Sequence, residues 1–178
     1  MLYKIICSGF GGQGVLTAGK ILLHAAYKKG LYTTWFPSYG NEMRGGAANC
    51  NVIISDERIA SPYADHPDVL ICLNDLAVDR FESTMQPGGK LFVNTSLVDE
   101  KRTYRPDVTV IGAAVTDKAR ELGSERNANL CMLGKVINET DLFTVNEFNA
   151  YLCDYFAEKG KAKYNAKNTE IFMAGAKL

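Results

Sequence analysis

The sequence contains few groups that could hold a metal ion. It has two histidines and five cysteines, and no two cysteines form a C-x-x-C pair. The cysteines are spread along the chain at Cys7, Cys50, Cys72, Cys131 and Cys153. This scatter is unlike the ligand spacing of a zinc site or an iron–sulfur cluster, and it is typical of buried thiols in a reducing compartment. We therefore expect that this chain binds no metal of its own.

The sequence also lacks an excess of charge and a long apolar run. Lysine and arginine together number 20, as do aspartate and glutamate, so the formal net charge is zero. A neutral chain has no electrostatic footprint for nucleic acid or for an anionic membrane. No apolar run approaches the roughly 18 residues of a membrane span, and the N-terminal segment lacks the form of a signal peptide. We expect a soluble, cytoplasmic protein that binds neither nucleic acid nor membrane.

The remaining composition is that of an ordinary globular domain. The chain has 178 residues, of which 47% are hydrophobic and 22% are charged. These proportions exclude a disordered tail, a collagen-like repeat and a disulfide-stapled miniprotein. At roughly 150 residues per domain, this length predicts a single domain over residues 1–178.

The pattern of the first 36 residues predicts a βαβ unit. The apolar run Leu2–Ser8 predicts a buried strand, and the segment Gly9–Gly14 predicts a tight turn. Apolar residues at helical spacing predict a helix over Val15–Lys29. A second strand is expected over Leu31–Phe36, stopped by Pro37.

The rest of the chain continues the alternation of strands and helices. Strands are expected over residues 48–55, 69–73, 91–94 and 108–111, and helices over 75–85, 116–122, 127–137 and 168–177. The Thr144–Glu147 capping box starts one more helix. A turn at Asp56-Glu57 is expected to join the strand 48–55 to residues 58–60 as an antiparallel hairpin. The pattern predicts a Rossmann-like α/β fold with a mostly parallel sheet, helices on both faces and one antiparallel hairpin element.

The glycine-rich turn carries the first chemical signal. Gly9, Gly11 and Gly14 have the G-x-G-x-x-G spacing between a strand and a helix. We expect Gly9 to permit the sharp turn, Gly11 and Gly12 to bring N–H groups near an anion, and Gly14 to let the helix pack on the strand. Gln13 lies within the same turn. An alternative stays open, because such glycines also serve strand-to-helix turns in proteins that bind nothing.

A dinucleotide-binding unit would normally carry an acidic residue at the end of its second strand, to bind the ribose. Residues 34–37 are Thr-Trp-Phe-Pro and contain no carboxylate. Arg44 is the only nearby cation for the NADP variant of the motif. The sequence therefore disfavours a free-standing NAD dehydrogenase.

A second polar loop follows the second strand. The segment from Ser38 and Tyr39 to residue 46 includes Glu42 and Arg44. Parallel strands end at one edge of a sheet, so we expect this loop to lie beside the glycine turn. Glu42 and Arg44 could fix a charged ligand there, or they could form an ordinary surface ion pair.

Both loops together carry a family resemblance. The run G-F-G-G-Q-G-V at residues 9–15 and the run S-Y-G-N-E-M-R-G-G at residues 38–46 resemble the γ subunit of 2-oxoacid:ferredoxin oxidoreductases. That family includes 2-oxoglutarate, 2-oxoisovalerate and pyruvate enzymes. The resemblance continues through Asn129–Gly134 and through Asn168, Phe172 and Gly175, and so covers nearly the whole chain. Asn41 stands where the family commonly has proline, and Met43 where a small residue is frequent.

The resemblance implies an accessory role in a larger enzyme. Such enzymes use thiamine diphosphate with magnesium, iron–sulfur clusters and CoA to convert a 2-oxoacid to acyl-CoA, with ferredoxin as electron acceptor. This sequence has neither a G-D-G motif nor a cluster-forming cysteine set, so these cofactors are expected on partner chains, with CoA as a substrate. The partners implied are α and β subunits, with room for a δ subunit. Alone, the chain could pair as a homodimer and is expected to be inactive.

We assign no catalytic residue to this chain. The residues expected to face a cofactor or substrate are Gly9, Gly11, Gly12, Gln13, Gly14, Ser38, Tyr39, Glu42 and Arg44. Two other functions stay open from the residues: a stand-alone Rossmann-like protein that binds a nucleotide or CoA, and a purely structural assembly module.

Overall fold

The computed structural model describes residues 1–39 and 47–178. The strands are β1 (Leu2–Phe10), β2 (Tyr32–Tyr39), β3 (Ala47–Ser55), β4 (Val69–Cys72), β5 (Lys90–Asn94) and β6 (Thr109–Ala113). The helices are α1 (Val15–Lys28), α2 (Asp75–Phe81), α3 (Val115–Glu121), α4 (Ala128–Asn138), α5 (Val145–Glu158) and α6 (Asn165–Gly175). No helix in these two ranges is both long enough and apolar enough to cross a membrane.

The strands form one mixed sheet in the order β2-β3-β1-β4-β5-β6. Strands β1, β4, β5 and β6 pair in parallel, whereas β3 pairs antiparallel with both β1 and β2. Strand β2 therefore runs in the same direction as β1 but is separated from it by β3. The Rossmann-like α/β class with an antiparallel element is confirmed.

The partner of the antiparallel strand differs from the prediction. Strand β3 forms its hairpin with β2, and residues 58–60 form no strand. Both edges of β3 are already hydrogen-bonded, to β1 and to β2, so a strand at 58–60 would have no free edge to join. Pro37 does not stop β2, which continues to Tyr39. Proline is tolerated there because β2 is an edge strand of the sheet.

Helices cover the two faces of the sheet unequally. Ile5 and Cys7 point into the larger core, which contains residues of α1, α3, α4, α5 and α6. Ile6, between them, points to the smaller core on the other face, where it shares a cluster with Ala77 and Val78 of α2. This alternation places successive side chains of β1 on opposite faces and explains its unbroken apolar run. The expectation of helices on both faces is confirmed.

Several element ends differ from their expected positions by a few residues. Strand β1 reaches Phe10, and α2 ends at Phe81, where a short 3₁₀ helix takes over. The capping box forms as expected at the start of α5. The Thr144 hydroxyl oxygen accepts from the Glu147 backbone N–H at 3.2 Å, and the Thr144 N–H donates to the Glu147 carboxylate at 3.4 Å.

Candidate functional site

A cleft of about 580 Å³ opens at the carboxyl edge of the sheet. Helix α1, which follows β1, packs on one face, whereas α2, which follows β4, packs on the other. The neighbouring strands β1 and β4 thus form a topological switch point, which is where open α/β sheets bind ligands. The lining of the cleft includes Gly12, Gln13, Leu73, Asn94, Thr116 and Arg126.

The glycine turn forms one wall of this cleft. Gly12 and Gly14 have positive φ angles of 100° and 73°, whereas Gly11 does not adopt this left-handed conformation. The Gln13 backbone N–H donates to the Phe10 carbonyl at 3.1 Å and closes the turn. Left-handed backbone favours glycine, so residues 12 and 14 are glycine for a conformational reason.

The role expected for Gly9 needs correction. Gly9 lies in the last part of β1, and it does not form the sharp turn. A β-carbon on Gly9 would lie 2.6 Å from the side-chain oxygen of Gln13. Glycine at this position therefore makes room for the Gln13 side chain.

The role expected for Gly14 also changes. A β-carbon there would lie 2.5 Å from the Asn129 side-chain nitrogen, which donates to the Gly14 carbonyl at 3.1 Å. Gly14 thus allows close approach of α4, the helix that carries Asn129, a contact that the sequence pattern does not reveal. Asn129 is 4% exposed, so this hydrogen bond is shielded from water.

The side chain of Gln13 is a structural link across the edge of the sheet. Its Oε1 accepts from the Phe10 backbone N–H at 2.6 Å and from Asn74 Nδ2 at 2.9 Å. Its Nε2 donates to the Leu73 carbonyl at 3.2 Å. The link joins the turn after β1 to the segment after β4. Gln13 therefore positions the cleft wall, since both ends of its amide are engaged by protein groups.

Asn94, at the end of β5, extends this network, and sequence reasoning missed it. Its Nδ2 donates to the Leu73 carbonyl at 3.2 Å and to the Thr116 hydroxyl at 2.9 Å, and its Oδ1 accepts from the Ser96 N–H at 3.3 Å. The side chain is 1% exposed. The sequence signal that could have identified Asn94 is an asparagine at the end of a buried apolar strand.

Among the described residues, the charged ones that line the cleft are Glu125 and Arg126. The Arg120 guanidinium donates to both carboxylate oxygens of Glu125, each at 3.1 Å, and it holds the pKa of Glu125 below its ordinary value. Arg126 makes no ion pair or side-chain hydrogen bond within residues 1–39 and 47–178. Sequence reasoning did not select Arg126, since no motif marks it.

The predicted residues of the second loop are described only in part. Ser38 lies exposed on β2 opposite Asn49, and Tyr39 ends that strand opposite Ala48. Gly9 of β1 also pairs with Ala48, so β1 and β2 end at the same edge of the sheet. Glu42 and Arg44 lie outside the described residues.

One cluster resembles a metal site in its residue types. His24, Asp154 and Glu158 bring their ligand atoms within 4.8 Å of one another, between α1 and α5. The Lys28 ammonium, however, lies 2.8 Å from Asp154 and 2.7 Å from Glu158. Both carboxylates are therefore already paired with a cation, and the arrangement ties the two helices together.

Comparison with known proteins identifies relatives along the whole chain. The model of the family "Pyruvate ferredoxin/flavodoxin oxidoreductase" matches residues 4–178. The chain is 37% identical over 173 residues to ketoisovalerate oxidoreductase subunit VorA of Methanothermobacter marburgensis, a match that covers 97% of this chain and 36% of VorA. It is 36% identical over 159 residues to 2-oxoglutarate synthase subunit KorC of Methanocaldococcus jannaschii, covering 86% of this chain and 83% of KorC.

A solved structure shares both the fold and part of the sequence. It is the keto/oxoacid ferredoxin oxidoreductase γ subunit from Geobacter sulfurreducens, with a TM-score of 0.80 and 28% identity. The match covers 97% of this chain and 95% of that subunit. The chain thus spans about a third of VorA but most of KorC and of the Geobacter subunit.

Proposed function

The chain belongs to the pyruvate ferredoxin/flavodoxin oxidoreductase family, and on this premise we propose that it is the γ-type accessory subunit of a multi-subunit 2-oxoacid:ferredoxin oxidoreductase. The complex would carry out the oxidative decarboxylation of a 2-oxoacid to an acyl-CoA in the cytoplasm. The observation that carries this proposal is the family match over residues 4–178. The match also covers 83% of KorC and 95% of the Geobacter γ subunit, which supports the γ-type role.

We place the redox cofactors of the complex on its other chains. Four of the five cysteines are buried and one is half-buried. Within residues 1–39 and 47–178, the one group of side chains with metal-ligand geometry is that of His24, Asp154 and Glu158, and it includes no cysteine. The iron–sulfur clusters would therefore be held by the α and β subunits, with a δ subunit as a further carrier. We place thiamine diphosphate and magnesium there as well, because this sequence has no G-D-G motif. Electrons would pass through these chains to ferredoxin, and CoA would take the acyl group.

An exposed apolar surface supports a role in assembly. Leu2 and Tyr32 flank Ser55 on the sheet face that α2 leaves uncovered, and they are 55% and 50% exposed. On the same face, Phe36 packs against Tyr63 with ring centres 4.9 Å apart. Exposed apolar side chains on one face favour contact with another protein. We propose that a partner subunit covers this face, and that two copies could pair through it when the chain is alone.

The glycine turn is the part of this chain that we place nearest to chemistry. Its Gly12 lines the cleft, and α1 begins directly after the turn. The N-terminus of a helix carries partial positive charge and unpaired N–H groups, which favour an anionic ligand. We propose that the turn faces an anionic group of a substrate or cofactor of the complex and takes no part in proton transfer.

Replacing Gly12 by valine tests this role. Gly12 has a φ of +100°, and a β-carbon at this position would have no atom within 4 Å, so valine would strain the backbone and project into the cleft. Gly160 is a matched control, because its φ of +69° and its open surroundings give a similar strain far from the cleft. Each variant is mixed with its partner subunits, and 2-oxoacid- and CoA-dependent reduction of a viologen dye is measured.

We expect Gly12→Val to abolish activity and Gly160→Val to retain it. Circular dichroism and size-exclusion chromatography must show that both variants fold and assemble. A folded, assembled and fully active Gly12→Val complex would show that the turn is only a connector, as in an assembly module. Activity of the wild-type chain in the absence of any partner would refute the accessory role.

A further inference from the structure

We propose that Arg126 is a specificity-determining residue that binds a phosphate group of the ligand in the cleft. This inference rests on the proposed function, because it takes the cleft beside the glycine turn as a ligand site. Arg126 lies far from that turn in the sequence, just before α4. The fold brings the two together at one cleft.

The charges of the cleft favour an anion at Arg126. Glu125, the other charged lining residue, is bonded through both oxygens to Arg120, which also pairs with Asp117 at 2.6 Å. Arg126 is exposed and has no carboxylate partner in the described part of the chain. Among the described residues that line the cleft, its guanidinium is therefore the cation available to a ligand. Arginine is well suited to phosphate because its planar fork can donate two parallel hydrogen bonds.

The side-chain amides that line the cleft with Arg126 are already hydrogen-bonded to other protein groups. The amides of Gln13 and Asn94 are used to link the segments after β1, β4 and β5. The other described polar lining residues are Thr116 and Ser124, whose hydroxyl groups carry no charge. Within residues 1–39 and 47–178, a negatively charged ligand group in this cleft would therefore find its charged partner in Arg126.

The cleft is large enough to hold an organic phosphate. Its volume of about 580 Å³ lies within the usual range for small-molecule sites, and it far exceeds the space needed by an inorganic anion. In the proposed reaction the phosphate-bearing substrate is CoA. Pantetheine carries the same reactive thiol as CoA but has no phosphate. Comparing the two acyl acceptors therefore distinguishes an effect on phosphate binding from an effect on the reaction of the thiol.

The test uses the reconstituted complex with wild-type chain, Arg126→Gln, Arg126→Lys and the control Arg80→Gln. Arg80 is an exposed arginine on α2 that does not line the cleft. The quantity measured is kcat/KM with CoA and with pantetheine as acyl acceptor. For Arg126→Gln we expect kcat/KM with CoA to fall about 10- to 100-fold, the scale of one lost hydrogen bond to a charged group. With pantetheine it should stay within about twofold of wild type.

In Arg126→Lys, kcat/KM with CoA should lie between those of wild type and Arg126→Gln. Lysine keeps the positive charge but cannot donate two parallel hydrogen bonds as a guanidinium does. Unchanged kcat/KM with CoA in Arg126→Gln would overturn the inference and leave the proposed function intact. Equal losses with CoA and pantetheine, or loss of assembly, would also overturn it by assigning Arg126 to the fold or to a subunit contact. No CoA-dependent activity with the wild-type chain would instead refute the proposed function itself.

Discussion

The backbone of Gly175 lies directly against the carbonyl group of Cys131. A β-carbon on Gly175 would come within 1.8 Å of that oxygen. On the facing helix, a β-carbon on Gly134 would lie 2.0 Å from the Phe172 carbonyl oxygen. Helices α4 and α6 therefore touch backbone to backbone at two glycines, and both contacts lie in the C-terminal part of the chain that resembles the γ subunits. Glycine at these two positions therefore has a packing reason in this chain.

Enlarging either glycine should separate these helices. We expect Gly175→Ala to lower the free energy of unfolding by about 3 kcal/mol or more, at the upper end of overpacking effects, because two backbones must move. Ala166→Ser, on an exposed position of α6, is the control and should change stability by less than about 0.5 kcal/mol. Urea denaturation followed by circular dichroism measures both. Equal stabilities of Gly175→Ala and wild type would contradict the close packing.

The five cysteines should differ sharply in reactivity. Cys7, Cys50, Cys72 and Cys131 are buried, and Cys153 is half-buried. Burial raises the pKa of Cys131 to about 11 and that of Cys72 further still, so little thiolate forms at neutral pH. We expect a thiol reagent such as a maleimide to label Cys153 first in the native chain, and the other four only after unfolding. Mass spectrometry of digested protein identifies the labelled sites, and early labelling of Cys72 would contradict this order.

The link between α1 and α5 should make stability depend on acid pH. The Lys28 ammonium and, to a smaller degree, His24 hold the pKa of Asp154 below its ordinary value. A lowered folded-state pKa stabilises the protein above the unfolded pKa of about 3.9, and that contribution is lost as the pH falls through the folded value. We therefore expect wild type to lose more stability than Asp154→Asn as the pH falls from about 5 to about 2.

The control for this pH effect is Asp65→Asn. Asp65 is exposed and makes no ion pair among the residues that the structure covers. Its variant should follow the wild-type pH profile in denaturant titrations. Parallel profiles for wild type and Asp154→Asn would show that the Lys28 pair contributes nothing to folding.

Local patterns were sufficient to predict the fold class and most elements. Apolar runs marked β1 and β4, and the capping residues Thr144 and Glu147 marked the start of α5. The position of β3 could not be predicted in the same way. Its pairing depends on which sheet edges are free, and that is a property of the assembled sheet. A short-range turn signal at Asp56-Glu57 therefore suggested the wrong hairpin.

The candidate site was predicted where a motif is local and missed where it is assembled from distant segments. The glycine turn is contiguous in sequence, so its place between β1 and α1 was foreseen. The reasons for Gly9 and Gly14 were not, because they depend on Gln13 and Asn129 side chains that pack from elsewhere. Arg126 enters the cleft through the tertiary fold, and no spacing rule connects it to the turn.

The insertion of β3 between β1 and β2 has a consequence for synthesis of the chain. In the described sheet, β1 and β2 share no hydrogen bonds, because each pairs with β3 instead. When the nascent chain ends at residue 39, the segments of β1, α1 and β2 have been synthesised. Neither strand can yet pair, because the strand that lies between them has not been made. Only when residues 47–55 leave the ribosome can both pairings form. This half of the sheet should thus form in one step during translation, once residue 55 has been added and has left the ribosome.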